Sequence, residues 1–192
     1  MIWMIAAGSV LGITGLWAGY TVVFEGGLET PEHSLVEKHG TIEVRDYQPF
    51  RVASTALSGQ EESASTGFRI LAGYIFGDND RSEKMAMTAP VIEAPESTGM
   101  TMSFVMPTAV PDLPGPNRDA VELTEIDWGR SAVLRFGGSG NWQRFERHEV
   151  ELREWCATQG LTARGDALYA QYNSPSAFPL LRRNEVILPL VQ

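Results

Sequence analysis

The sequence predicts an α+β domain: an antiparallel sheet that curls, with two helices on its outside. Two observations carry this. Two stretches place apolar residues at helical spacing, and around them lie short period-two runs punctuated by Gly, Pro, Asn and Asp. Strands that follow one another so closely pair mostly with their neighbours, and helices are then left to cover one face. At 192 residues the chain is long enough for one well-buried domain with appendages.

The most informative stretch is 66–91. Phe68, Leu71, Ala72 and Ile75 line one face of a helix over about 63–76, with Ser63, Ser65 and Thr66 available as caps and Gly77 as its end. Asp78, Asn79 and Asp80 make a polar turn. Residues 84–93 then read as a strand, with Met85, Met87, Ala89 and Val91 on one side. A strand over 42–58 precedes the helix and one over 100–107 follows, where Met100, Met102, Phe104 and Met106 share a face. After a Pro/Gly linker at 111–117 come strands over 120–126 and 131–136, a Gly-rich turn at 137–140, a helix over 142–159 stopped by Gly160, and strands over 167–172 and 184–190. Each half thus holds one helix and three or four strands.

Residues 1–24 contain no charged side chain. At about 1.5 Å per residue such a helix exceeds the roughly 30 Å hydrocarbon core, so the segment is long enough to span a membrane. No Lys or Arg precedes the apolar run and no small-x-small site follows it, which favours an uncleaved anchor over a signal peptide. Glu25, Glu29 and Glu32 follow, and the first lysine is Lys38, so little positive charge holds the domain inside; a domain outside the cytoplasm is expected. Gly8, Gly12, Gly15 and Gly19 would let two such helices approach as a weak homodimer. Residues 25–35 read as a linker and 36–192 as the domain.

A net charge of -9 excludes a nucleic-acid binder, because phosphate recognition rests on clustered Lys and Arg. The single Cys156 excludes an internal disulfide and a multi-cysteine metal site; beside Trp155 on the second helix it reads as a buried, inert thiol. G-x-S-x-G, H-E-x-x-H, P-loop and C-x-x-C patterns are absent, and no catalytic or metal-binding set is assigned.

Tyr74, Ile75, Gly77 and Asn79, followed by Met87-Thr88-Ala89-Pro90-Val91, resemble the SOUL/heme-binding protein family in motif and order. Ile42-Glu43-Val44-Arg45-Asp46-Tyr47-Gln48-Pro49 is similar to the family's first strand. Tyr172-Asn173-Ser174-Pro175 with Arg183-Asn184-Glu185-Val186 is similar to its last hairpin. The resemblance covers roughly 36–190. It implies a distorted antiparallel β-barrel of two pseudo-symmetric halves flanked by two helices, similar to the ligand domains of some drug-responsive regulators. It also implies non-catalytic binding of heme or another tetrapyrrole. Some members carry a His between the Arg and Tyr of the first strand motif; Asp46 stands there in this chain, so an iron bond from that position is not expected.

The expected site is an apolar groove beside the first helix, against Phe68, Leu71, Met85 and Met87, a soft surface suited to a flat ligand. The competing reading is an ordinary sheet core. Arg69 and Arg182 are candidate partners for propionates, as are Lys84 and Arg183. Of the three histidines, His33 and His39 read as surface residues, while His148 lies on or beside the inward stripe of the second helix with Phe145, Leu152 and Trp155 and joins the candidate set. Two alternatives stay open: an effector domain for diverse hydrophobic compounds, marked by an acid in the pocket, and a tetrapyrrole-modifying enzyme using Asp46, Tyr74 or His148.

Overall fold

The structure is a computed structural model in which residues 27–57, 61–96, 99–174 and 176–191 are described. The expected membrane anchor falls on residues 1–24, outside the described residues; among the described residues no helix is long and apolar enough to cross a membrane.

The elements are β1 (His33–His39), β2 (Ile42–Tyr47), β3 (Phe50–Leu57), α1 (Glu61–Ile75), β4 (Val91–Glu96), β5 (Gly99–Val105), β6 (Glu122–Ile126), β7 (Arg130–Gly137), α2 (Trp142–Thr158), β8 (Leu168–Gln171), a 3-10 turn (Pro179–Leu181) and β9 (Arg183–Pro189). All nine strands form one sheet, and every pairing in it is antiparallel, in the order β1-β2-β7-β9-β8-β4-β5-β3-β6. Read outward from the β8-β4 junction, the order β4-β5-β3-β6 mirrors β8-β9-β7-β2. The halves β2-β3-α1-β4-β5 and β6-β7-α2-β8-β9 are therefore related by a pseudo-twofold, and each lends its first strand to the other.

Four boundaries differ from the sequence expectation, each for a physical reason. The stretch 42–58 is two strands, because Gln48-Pro49 turns the chain and Pro49 has no N–H for a ladder. The expected strand over 84–93 begins only at Val91, after Pro90; before it, Met85 is tied by its N–H to the Ile75 carbonyl at the end of α1, 2.9 Å away. The first helix starts at Glu61, so Ser63, Ser65 and Thr66 lie inside it rather than capping it. β1 overlaps the stretch read as a linker; it is exposed along its length, so no apolar alternation marked it.

The expected closed barrel is not formed. β1 and β6 are the edges, and no ladder joins them among the described residues. The sheet nevertheless curls strongly. Tyr47 ends β2 and Phe50 begins β3, so their Cα atoms lie within about 11 Å, although β2 and β3 are second and eighth in sheet order. Side chains fill the seam in place of hydrogen bonds: the Trp128 ring packs edge-on against Tyr47 at 5.0 Å and Phe50 at 4.7 Å.

Both helices lie on one face. α1 covers β3 and β5, burying Leu71, Tyr74 and Ile75 against Ala53, Met102 and Phe104. Gly67 permits the approach, since a Cβ there would sit 2.5 Å from Leu57 Cδ2. Gly77, at φ +112°, ends the helix, and buried Asn79 organises the following turn: its Nδ2 donates to the Tyr74 and Glu83 carbonyls, and its Oδ1 accepts from the Arg81 and Glu83 amides. α2 is capped by Asn141, whose Oδ1 accepts from the Arg144 amide at 3.1 Å, and covers β7 and β9 through Phe145, Leu152 and Cys156.

The opposite face forms the inside of the curl, where Val105, Val133, Ala170 and Ile187 pack together. Ile42 and Val44 face α2, so alternation turns Glu43, Arg45 and Tyr47 inward; Val186 and Leu188 likewise leave Glu185 inside. Arg45, 3% exposed, makes a two-pronged bond to Glu185, 0% exposed, with both N···O distances 3.0 Å. Its Nε donates to Glu43 at 2.9 Å and its Nη1 to the Tyr47 hydroxyl at 2.9 Å. The Tyr172 hydroxyl and Arg183 Nε also donate to Glu185, at 2.8 and 2.9 Å. Burial would raise the Glu185 pKa, but these donors and the charges of Arg45 and Arg183 outweigh it and hold the carboxyl below its ordinary range. Glu43, against the same opposing burial, is brought down to about 2 by Lys38 and Arg45.

Arg45→Met should destabilise the fold by about 3–5 kcal/mol in urea denaturation, because it leaves Glu185 buried without its main counter-charge. Both carboxyls are more acidic folded than unfolded, so their contribution is complete above the ordinary value of 4.5 and is lost as pH falls toward about 2. Wild-type urea midpoints should drop across that window, and Arg45→Met should show a shallower drop.

Candidate functional site

The seven residues picked from the sequence separate into two groups. Five of them, Phe68, Arg69, Leu71, Met85 and Met87, meet at α1. Leu71 and Met85 are inside the core and do not line an open groove, a correction that follows from how closely α1 sits on β3. Phe68 is the exception on the apolar stripe. It is 41% exposed and rests edge-on against Phe104, with ring centroids 5.1 Å apart. Met87 and Met100, both half-buried, pack against the same cluster. Arg69 follows Phe68 on the exposed side, its guanidinium bonding back to the Ser65 carbonyl and the Thr66 hydroxyl.

Arg182 and His148 belong to the other half. Arg182 donates from Nε to the Ala177 carbonyl at 3.1 Å, and its own carbonyl lies 3.5 Å from where a Cβ on Gly137 of β7 would be. His148 lies over Phe136 of β7, with ring centroids 4.3 Å apart and Nδ1 3.0 Å from Glu151 Oε2. It is a packed residue on α2. His33 and His39 are on β1, His39 bonding Glu37 at 2.6 Å and packing against Trp155. The chain has three histidines, so none stands on α1 or on the strands beneath it.

β4 and β8 separate the strands under α1 from those under α2. Glu93 on β4 pairs with Met102 on one side and Tyr169 on the other. Met102 packs under α1 and Tyr169 under α2, so Glu93 lies on the helix-bearing face between the two packed regions. Burial alone pushes its carboxyl above the ordinary range. On the α2 side the aromatic residues are packed in the core under the helix. Tyr169 stacks on Phe145 at 4.8 Å, meets Trp142 edge-on at 4.9 Å, and donates its hydroxyl to Glu149 at 2.6 Å. Sequence reasoning passed over Glu93, although the alternation that turns Val91 toward the helices turns Glu93 the same way.

The residues weighed for catalysis do not converge. The Asp46 carboxylate is held by Arg130 at 2.9 and 2.8 Å, and the hydrogen bond from that arginine lowers its pKa. The Tyr74 hydroxyl donates to the Pro114 carbonyl at 2.8 Å, and burial raises its pKa. Cys156 is buried, which pushes its thiol up. Among the described residues no group of three or more His, Cys, Asp or Glu is placed to hold a metal ion. A cavity of about 170 Å3 at the seam, lined by Glu29, Pro31, Gln48, Phe50, Arg51 and Thr108 among others, is below the roughly 300–1,000 Å3 of small-molecule sites.

Residues 28–189 match the family described as SOUL heme-binding protein. Heme-binding protein 2 of Mus musculus is 29% identical over 159 residues, covering 77% of each chain. Heme-binding protein 1 of Xenopus laevis is 28% identical over 175 residues, covering 84% of this chain and 92% of that one. The EcmrR C-terminal domain superposes with a TM-score of 0.58 at 11% identity, over 79% of this chain and 97% of that one, which is a likeness of fold.

The raised pKa of Glu93 means that its ionisation opposes folding: stability is whole below the ordinary value of 4.5 and declines as pH rises through the folded pKa. Glu93→Gln should therefore raise the urea midpoint at neutral pH and leave it nearly unchanged near pH 4. A midpoint that does not move at neutral pH would place Glu93 in an ordinary solvated setting.

Proposed function

Because the chain belongs to the SOUL heme-binding protein family, we propose that it binds heme or a related tetrapyrrole without turning it over, on the apolar surface beside α1. The observation that carries this is Phe68: a large aromatic ring left 41% exposed on the stripe that buries Leu71 and Ile75, with half-buried Met87 and Met100 packed against the same cluster and Arg69 next in the chain. Burying a few hundred Å2 of macrocycle at about 25 cal/mol per Å2 supplies several kcal/mol before ordering costs, enough for micromolar binding. With no imidazole on α1 or its strands, the ring rather than the iron provides the affinity. Arg69 pairs with a propionate.

In this reading residues 1–24 hold the chain to a membrane, with the domain outside the cytoplasm, where it acts as a carrier, buffer or sensor of the ligand. Glu93 favours a second reading on the same face: a desolvated acid suits a lipophilic cation, and binding of such cations lost in Glu93→Gln would support it.

Absorbance titrations with hemin and with iron-free protoporphyrin test the first reading. Both should bind saturably with similar affinity, Phe68→Ala should weaken both by about two- to tenfold, and His39→Ala and His148→Ala should bind as the wild type does. Binding of hemin alone, lost in either histidine variant, would overturn it.

A further inference from the structure

The loop between β8 and β9 carries the most exposed large apolar side chain among the described residues. Leu180, at the 3-10 turn, is 80% exposed, and Leu181 beside it is 43% exposed. Two leucines held out on a turn that begins with Pro179 are costly to leave in water unless something covers them.

Charge identifies the cover. From Tyr172 to Asn184 the chain contains Arg182 and Arg183 and no acid, and from Phe136 to Phe145 it contains Arg144 and no acid, although the whole protein has 24 acids against 15 basic residues. The fold puts these two stretches together. The Leu180 and Arg182 carbonyls lie 3.8 and 3.5 Å from a Cβ built on Gly137, Asn184 donates to the Gly138 carbonyl at 3.0 Å, and Arg144 donates to the Ser139 carbonyl at 3.0 Å. Arg183 is taken up by buried Glu185 and the Tyr172 ring, which leaves an apolar tip with Arg144 and Arg182 at its base on an otherwise acidic protein, the arrangement of a segment that dips into a lipid interface with its cations at the headgroups.

Position agrees. Leu28, where the described chain begins, packs in one cluster with Ala89 and Tyr172, and Val91 pairs with Gln171 just before the loop. Leu28 is thus held at the rim from which the loop leaves. Glu29, next in the chain, is engaged by the domain, its carboxylate accepting from the Thr108 amide at 2.8 Å.

We propose that the β8–β9 loop is a membrane-docking tip in which Leu180 and Leu181 enter the outer part of the bilayer and Arg144 and Arg182 meet anionic headgroups. This rests on residues 1–24 as the anchor and adds a second contact that fixes the orientation of the domain.

The test uses the full chain incorporated into vesicles of phosphatidylcholine, with or without phosphatidylserine, and carrying Leu180→Cys labelled with an environment-sensitive fluorophore. Val150→Cys on α2, at a residue 57% exposed, is the control position. Blue-shifted emission quenched by acyl-chain spin labels at 180 but not at 150, stronger with phosphatidylserine and lost when Leu181→Asp is added, supports the tip. A chain that floats with the vesicles while the label at 180 stays unshifted overturns the tip and leaves the anchor standing. A chain that does not float overturns both. A shift without vesicles that grows with protein concentration overturns the lipid assignment, because the tip would then meet a second copy of the chain.

Discussion

The two-pronged bond between Arg45 and Glu185 is the constraint on which the arrangement of the halves depends. It joins the first strand of one half to the last strand of the other, inside a curled sheet from which water is largely excluded. A charge in that setting costs several kcal/mol when unpaired, so each member requires the other, together with the tyrosine hydroxyls and Arg183 around them. Any slip of β2 or β9 by one residue would turn one charge toward α2 and strand its partner. The pair thereby specifies register as well as adding stability.

Filling the inside of the curl in this way determines where a ligand is able to bind. Tyr47, Phe50 and Trp128 close the seam, and the charge network takes up the interior of the β2–β9 region. What remains open is the helix-bearing face. There the two helices stand apart over different strands, with half-exposed Phe68 on α1 and Glu93 on the strand between the two packed regions. A surface of this kind binds flat or extended molecules by coverage rather than by enclosure, which suits a soft methionine lining.

The pseudo-twofold arrangement also separates roles. α1 and α2 are equivalent in the fold but differ in what they expose: α1 leaves an aromatic ring half in solvent, whereas α2 seals its aromatic residues against Tyr169 and His148 against Phe136. The loops have diverged as well. The β8–β9 connection carries an exposed leucine pair and arginines, while only two residues separate β4 from β5, which pair directly.

The sequence by itself determined the fold class, both helices, the two-half organisation and the identity of the α1 stripe, because helical and period-two spacing are local signals set by which faces must be buried. The motifs at 42–49, 74–91 and 172–186 were enough to indicate the family. Only the tertiary structure decided the rest. β1 is exposed on both faces and so leaves no alternation to read, and the proline breaks at Pro49 and Pro90 look like minor interruptions until the ladders are seen to stop there. His148 was chemically suitable for the α1 site, but it packs from α2 against Phe136, and which helix covers which strand depends on strand order, which no local pattern encodes. Glu43, Arg45 and Glu185 read as polar positions in strands, and Glu93 as the end of one; their burial arises from strands about 140 residues apart coming together. Spacing along the chain reveals which side of an element a residue occupies, and the partner on that side is a property of the fold.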